Sequence, residues 1–141
     1  MHQICYASKA TFNQSEILTD LRDILTEARH FNHLNKISGV LFYADGYFFQ
    51  CVEGEADVIQ QLMHKLKKDK RHHCVHVFEI KKMNQTLFSE WSMKFVGRNS
   101  QIQHYLNGIG QTSFNPMLFN QYDVDQLLQH LQIAHSQEIN T

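Results

Sequence analysis

Gly39-Val40-Leu41-Phe42-Tyr43-Ala44-Asp45-Gly46-Tyr47-Phe48-Phe49-Gln50-Cys51-Val52-Glu53-Gly54 is the stretch on which the fold turns. Gly39 to Tyr43 and Phe48 to Val52 are apolar runs, and Asp45-Gly46 between them is a two-residue turn signal, so the pair reads as a β-hairpin closed by Gly54. On its N-terminal side, Ile17, Leu18, Leu21, Ile24, Leu25, Ala28 and Phe31 recur at helical spacing, with Asn13 and Glu16 spaced as a capping box. Gln3 to Ser8 reads as a strand before that helix. On the other side, Ala56, Ile59, Leu62, Met63 and Leu66 form a second amphipathic helix ending at Lys70-Arg71. Cys74 to Ile80 and Trp91 to Val96 read as two further strands, joined by a polar stretch around Met83 to Gln85.

The order β-α-β-β-α-β-β predicts an α+β, ferredoxin-like sandwich with two helices on one face of a mixed five-stranded sheet. After Gly97 the composition changes, with eight of the fourteen glutamines beyond residue 100. Ser100 to Ile109 and Asp123 to His135 fit two more helices, the second opening on an Asp-x-x-Gln cap, with Pro116 between them. These form a C-terminal two-helix extension. The expected division is 1–97 for the main domain and 98–141 for an extension of the same domain.

A chain of 141 residues with 43% hydrophobic content is long enough for one cored domain and too short for two. Thirteen basic against fourteen acidic residues leave a net charge of −1, which lacks the positive field of a non-specific nucleic-acid binder. Three cysteines without CxxC spacing favour a reducing, cytoplasmic setting. Met1 to Ser8 has no secretory pattern, and no apolar run reaches membrane-spanning length, so neither export nor a membrane is expected.

Strand alternation places Gln50 with Phe48 and Val52, Tyr6 with Ile4, and Trp91 with Met93 and Phe95. A phenol, an amide, a thioether and an indole thus converge on apolar faces. Either Tyr6 and Gln50 satisfy each other in an ordinary core, or they grip the polar edge of a ligand. Asn32 and Asn35 stand at the end of the first helix, where Asn commonly terminates helices. His30 and His33 share a helical interval but have no third ligand beside them, so no metal is expected. Lys65, Lys67, Lys68, Lys70 and Arg71, followed by His72 and His73, form a basic run. It fits a solvated helix end, a phosphate anchor or a nucleic-acid patch, and spacing alone does not choose.

Tyr6, Asn32, Ile37-Ser38-Gly39-Val40-Leu41, Phe48 to Gly54, Asp69 to His73 and Trp91-Ser92-Met93 together resemble the BLUF family, blue-light sensors that use FAD. The resemblance covers about residues 2 to 97, plus the two-helix extension of short members without an effector domain. It implies residues 1–97 as a flavin-binding domain with the ring between the two helices. It further implies that Tyr6 donates an electron and proton to the excited flavin, that Gln50 rearranges its hydrogen bonds, and that Asn32 holds the carbonyl edge. Ile24, Leu41, Phe48 and Leu66 would line the ring. Lys65, Asp69, Arg71 and His72 match the ribityl and phosphate region, and Trp91 and Met93 the pair that relays the change outward. Ala28 stands where many members have a small hydroxyl residue, and Phe31 where many have Asn or His.

The expected function is a non-enzymatic FAD photoreceptor that signals to a partner protein, as a homodimer or higher homo-oligomer. Output is expected to leave through the last strand and the C-terminal helices. Two alternatives are a small ferredoxin-like hydrolase of acylphosphatase type, with Asn32 orienting water, and an RNA-binding sheet. Tyr6-Ala7-Ser8-Lys9 offers no arginine cradle for the first, and no RNP-like pattern supports the second.

Overall fold

The computed structural model describes residues 1–11 and 16–136. Its elements among these residues are β1 (His2–Ala10), α1 (Ile17–Leu34), β2 (Ser38–Ala44), β3 (Tyr47–Gly54), α2 (Ala56–Lys67), β4 (His72–Val77), β5 (Lys81–Lys82), β6 (Lys94–Gly97), α3 (Ser100–Gly108) and α4 (Gln121–Ile133). A single 3-10 turn at Pro116–Leu118 precedes α4. The strand order is β4-β1-β3-β2-β6, with β5 pairing the start of β1. β2 and β6 run parallel and the other pairs antiparallel, which is the mixed α+β sheet expected.

The hairpin sets the register. Asp45 (φ 56°) and Gly46 (φ 84°) both take the left-handed backbone that a type I′ turn requires. Leu41 therefore faces Gln50, which faces Tyr6 across β1, while Phe95 faces Leu41 on the other side. One row of side chains crosses the centre of the sheet. At Gly39 a Cβ would stand 2.4 Å from the Cys51 carbonyl oxygen, so only glycine lets β2 approach β3 there.

Period-two alternation divides the core in two. Ile4, Tyr6, Leu41, Phe48, Val52 and Phe95 pack with Leu21 and Leu25 of α1 and Ile59, Leu62 and Met63 of α2. Cys5, Ala7, Phe42, Phe49 and Val96 pack on the opposite face with Ile102 and Leu106 of α3 and Leu127 and Leu131 of α4. The C-terminal helices thus cover the face that α1 and α2 leave open. Two polar ties hold them there. The Asp45 carboxylate accepts from Arg98 and, at 2.7 Å, from the Phe114 amide. Lys94, 3% exposed, donates from Nζ to the Gln132 carbonyl at 2.9 Å, in the last turn of α4.

Several local expectations are corrected. β6 starts at Lys94, so Trp91 and Met93 precede the strand, and Trp91, 37% exposed, does not share the buried face of Met93 and Phe95. The sheet has six strands where five were expected, because Lys81–Lys82 bonds to His2 and Gln3. The strand expected from Cys74 runs from His72, and Cys74 (φ 55°) lies where the pairing with β1 shifts register. α4 starts two residues before Asp123, which serves as the third helical residue of a capping box whose N-cap is Asn120. Asn13 lies outside the described residues, and Glu16, the N-cap of α1, makes no side-chain capping bond.

Candidate functional site

A cleft opens between α1 and α2 above the central row of the sheet. Its floor is Tyr6, Leu41, Phe48 and Gln50, and its walls include Ile24, Ala28, Phe31, Leu62 and Leu66. Asn32 stands at one side, and Glu27, Lys65, Asp69, Arg71 and His72 complete the lining. Every residue proposed from sequence to touch the cofactor, from Tyr6 to His72, lines this one cleft. Trp91 and Met93 do not line it.

On the floor, the Tyr6 hydroxyl donates to Gln50 Oε1. The other end of that amide, Nε2, points at Met93 Sδ at 3.8 Å. Tyr6 and Gln50 are both buried, so each needs these partners. Burial foremost, and then the Asp69 charge, raise the Tyr6 pKa far above its ordinary value of 10.0, so the phenol keeps its proton.

Asn32 continues the stripe that Ile17, Leu21 and Leu25 begin, a polar side chain in an apolar row. Its Nδ2 donates to the Ser92 carbonyl at 2.7 Å. That bond fixes the amide orientation, because the reverse would set two oxygens against each other. Oδ1 is left buried, at the cleft, with no hydrogen-bond partner. An orphaned buried acceptor carries a cost of about 1–3 kcal/mol unless something supplies a donor. Asn35 behaves as a helix terminator, its backbone N–H and Nδ2 both donating to the Phe31 carbonyl.

At the mouth, Arg71 is bound to Asp69 (2.6 Å) and to Glu27 (2.7 Å). The Arg71 bond holds the Asp69 carboxyl below its ordinary value of 3.8. His72 lies between Ser8 Oγ (2.7 Å) and the Leu66 carbonyl (2.5 Å). Lys65 Nζ sits 4.9 Å from the centre of the Phe31 ring, and the ion pairs among the described residues do not include it. Of the basic run, Lys65, Arg71 and His72 thus reach the cleft, and Arg71 arrives already matched by two carboxylates.

Sequence reading overlooked Ser8, Glu27 and Leu62. Ser8 and Leu62 carried a signal, since the first alternates with Tyr6 and the second lies on the apolar stripe of the second helix. Glu27 carried none, its partner Arg71 lying 44 positions away.

A cleft with apolar walls whose floor holds a phenol and an amide, with an acceptor at one side, suits a heteroaromatic ring that carries an N–H between two carbonyls. The isoalloxazine of a flavin has that edge, so Asn32 Oδ1 and the apolar walls fit the group. The family described as sensors of blue-light using FAD, BLUF, matches residues 1–94, and the chain belongs to it. FAD is the cofactor by which that family is defined.

Among solved structures, "BlsA ground state" is 44% identical, covers 99% of this chain and 93% of its own, and superposes with a TM-score of 0.95. "BlsA photo-activated state" gives 44%, 97% and 98%, with a TM-score of 0.92. The photoactivated adenylate cyclase subunit beta of Euglena gracilis is 30% identical over 91 residues, or 64% of this chain. The chain spans about 10% of the length of that relative. No helix among the described residues is long and apolar enough to cross a membrane.

Proposed function

We propose that this chain is a non-enzymatic, cytoplasmic photoreceptor that binds FAD in the cleft between α1 and α2 and signals to a partner protein by a change in its surface. Residues 1–97 form the flavin-binding part, and residues 98–141 a C-terminal extension of the same domain. Asn32 Oδ1 accepts from the ring edge, Ile24, Leu41, Phe48 and Leu66 pack on the ring, and Lys65, Asp69, Arg71 and His72 lie toward the ribityl and phosphates. When bound, FAD supplies blue-light absorption and redox chemistry.

The observation that carries this reading is the chain of contacts from the Tyr6 hydroxyl to Gln50 Oε1 and from Gln50 Nε2 to Met93 Sδ. Tyr6 is the electron and proton donor, kept protonated by burial until light acts. Gln50 is the switch. An amide has one accepting and one donating end, and a thioether can only accept. Where the rearrangement is a rotation, it keeps a bond to Tyr6, whose hydroxyl can donate or accept, but leaves the Met93 sulfur without a donor. Met93 immediately precedes β6, and β6 meets α4 through Lys94. That continuity supports output through the last strand and the C-terminal helices.

The test is spectroscopic. Purified protein with FAD should show a red shift under blue light that reverses in the dark, and both Tyr6→Phe and Gln50→Ala should retain FAD and lose the shift. A normal photocycle in both variants would refute the mechanism, and a protein that cannot be loaded with FAD would refute the binding site.

A further inference from the structure

Trp91, Ser92 and Met93 form an irregular segment ahead of β6, with no strand partner before Lys94. Yet its three consecutive carbonyls are each held. Trp91 O accepts from the Gly39 amide (3.2 Å), Ser92 O from Asn32 Nδ2 (2.7 Å) and Met93 O from Arg29 Nε (3.0 Å). Two of the three donors are α1 side chains three residues apart, which places them on neighbouring turns of one helix face.

Met93 is 1% exposed and packs in the core under α1 and α2, and its sulfur, a weak acceptor, adds only a 3.8 Å contact with Gln50. Its backbone is tied as well. Arg29 gives that backbone a charge-assisted bond, and among the described residues its guanidinium is in no ion pair that would compete for the same donor. Arg29 does not line the cleft, whereas Asn32 does.

We propose that Arg29 is a positioning residue of the light switch: by clamping the Met93 carbonyl to α1, it seats the Met93 sulfur against Gln50 and so sets how fast the dark arrangement is regained. This rests on the function proposed above. Asn32 ties the same segment to the flavin edge, while Arg29 ties it to the helix alone. Removing Arg29 should therefore spare flavin binding and alter the timing of the return.

The experiment uses the full FAD-loaded chain and the variants Arg29→Ala, Arg29→Gln and Arg29→Lys. Trp91 is the only tryptophan, so quenching of its fluorescence by acrylamide reports on the clamped segment independently of the photocycle. Arg29→Ala should keep the FAD content and the size of the red shift, slow dark recovery by about fivefold, the rate equivalent of one net hydrogen bond, and make Trp91 more accessible in the dark. Arg29→Lys, which keeps a cationic donor, should restore much of both. Should Arg29→Ala fail to fold, Arg29→Gln, with a neutral donor, should show the same slowing in smaller measure.

Unchanged recovery in Arg29→Ala, or in Arg29→Gln if only that variant folds, would overturn the proposal whether or not Trp91 accessibility changes. Slowing that Arg29→Lys does not relieve would overturn it as well. Absence of any photocycle in the unmodified protein would instead mean that the underlying light-sensing reading fails.

Discussion

The two faces of the sheet are built from alternate residues of the same strands, yet they differ in what they leave undone. The face toward α3 and α4 is closed: Phe42, Phe49, Phe88, Phe114, Leu127 and Leu131 are almost completely buried. The charged side chains that the sheet buries on this side are answered, with Glu53 accepting from Gln3 and from the amides of Leu87 and Phe88, and Lys94 donating to Gln132. The face toward α1 and α2 holds a cleft, an unanswered Asn32 oxygen and an amide whose donor end rests on a sulfur. One face is finished by the chain itself, and the other is arranged for something the chain does not encode. Stability and responsiveness are thus separated by one step of the strand repeat.

The hardest blow to the closed face is Phe42→Ala. Phe42 is fully buried and meets Phe114 edge-on at 4.8 Å, so truncation should cost about 3–5 kcal/mol in denaturant unfolding. Variant that still folds should keep its red shift, since Phe42 points away from the cleft. Loss of the shift at unchanged stability would erase the distinction between the faces.

The open face should respond instead to its ligand. Removing FAD should lower stability by about 2.7 kcal/mol relative to protein held at one hundred times the Kd, seen as a concentration-dependent Tm. The Phe42→Ala and FAD effects should add, because the two sites share no partners. Tyr6→Phe comes next in size. It strands Gln50 Oε1 without its donor, at about 1–3 kcal/mol, while removing the light response altogether.

The smallest effect belongs to the rim. Asp69 is held below its ordinary 3.8 by Arg71, so the folded protein binds that proton less tightly than the unfolded chain does. The resulting stabilisation is complete above about pH 5 and is lost as pH falls through 3.8 and below. Asp69→Asn should flatten that acid limb by about 1 kcal/mol or less, the pair being partly exposed. A larger change would mean that the rim belongs with the core.

Legibility in the sequence followed the same division. The parity of the strands put Tyr6 and Gln50 on one face because a period of two leaves no choice once the Asp45-Gly46 turn fixes the register. Asn32 stood out as a polar residue on an apolar stripe. Trp91 is misplaced by its strand pattern with Met93 and Phe95, because the pattern from Trp91 to Val96 is overridden by three hydrogen bonds from Arg29, Asn32 and Gly39, more than fifty residues upstream. The start of α4 was missed for a local reason: Asp123 fits an N-cap as well as it fits the third residue behind Asn120. The basic run keeps its open readings, because what Arg71 meets is set by Glu27, 44 positions away.

Lys94 carries a practical consequence. Burial lowers its pKa, and the end of α4 roofs its amine. An acylating reagent can therefore reach it only while that roof is lifted and the amine is returned to water. The rate of Lys94 acylation, read by mass spectrometry against the exposed lysines of the same molecule, then counts how often α4 opens. The protein carries its own chemical clock for the motion of its last helix, and running it in blue light and in darkness requires no label and no known partner.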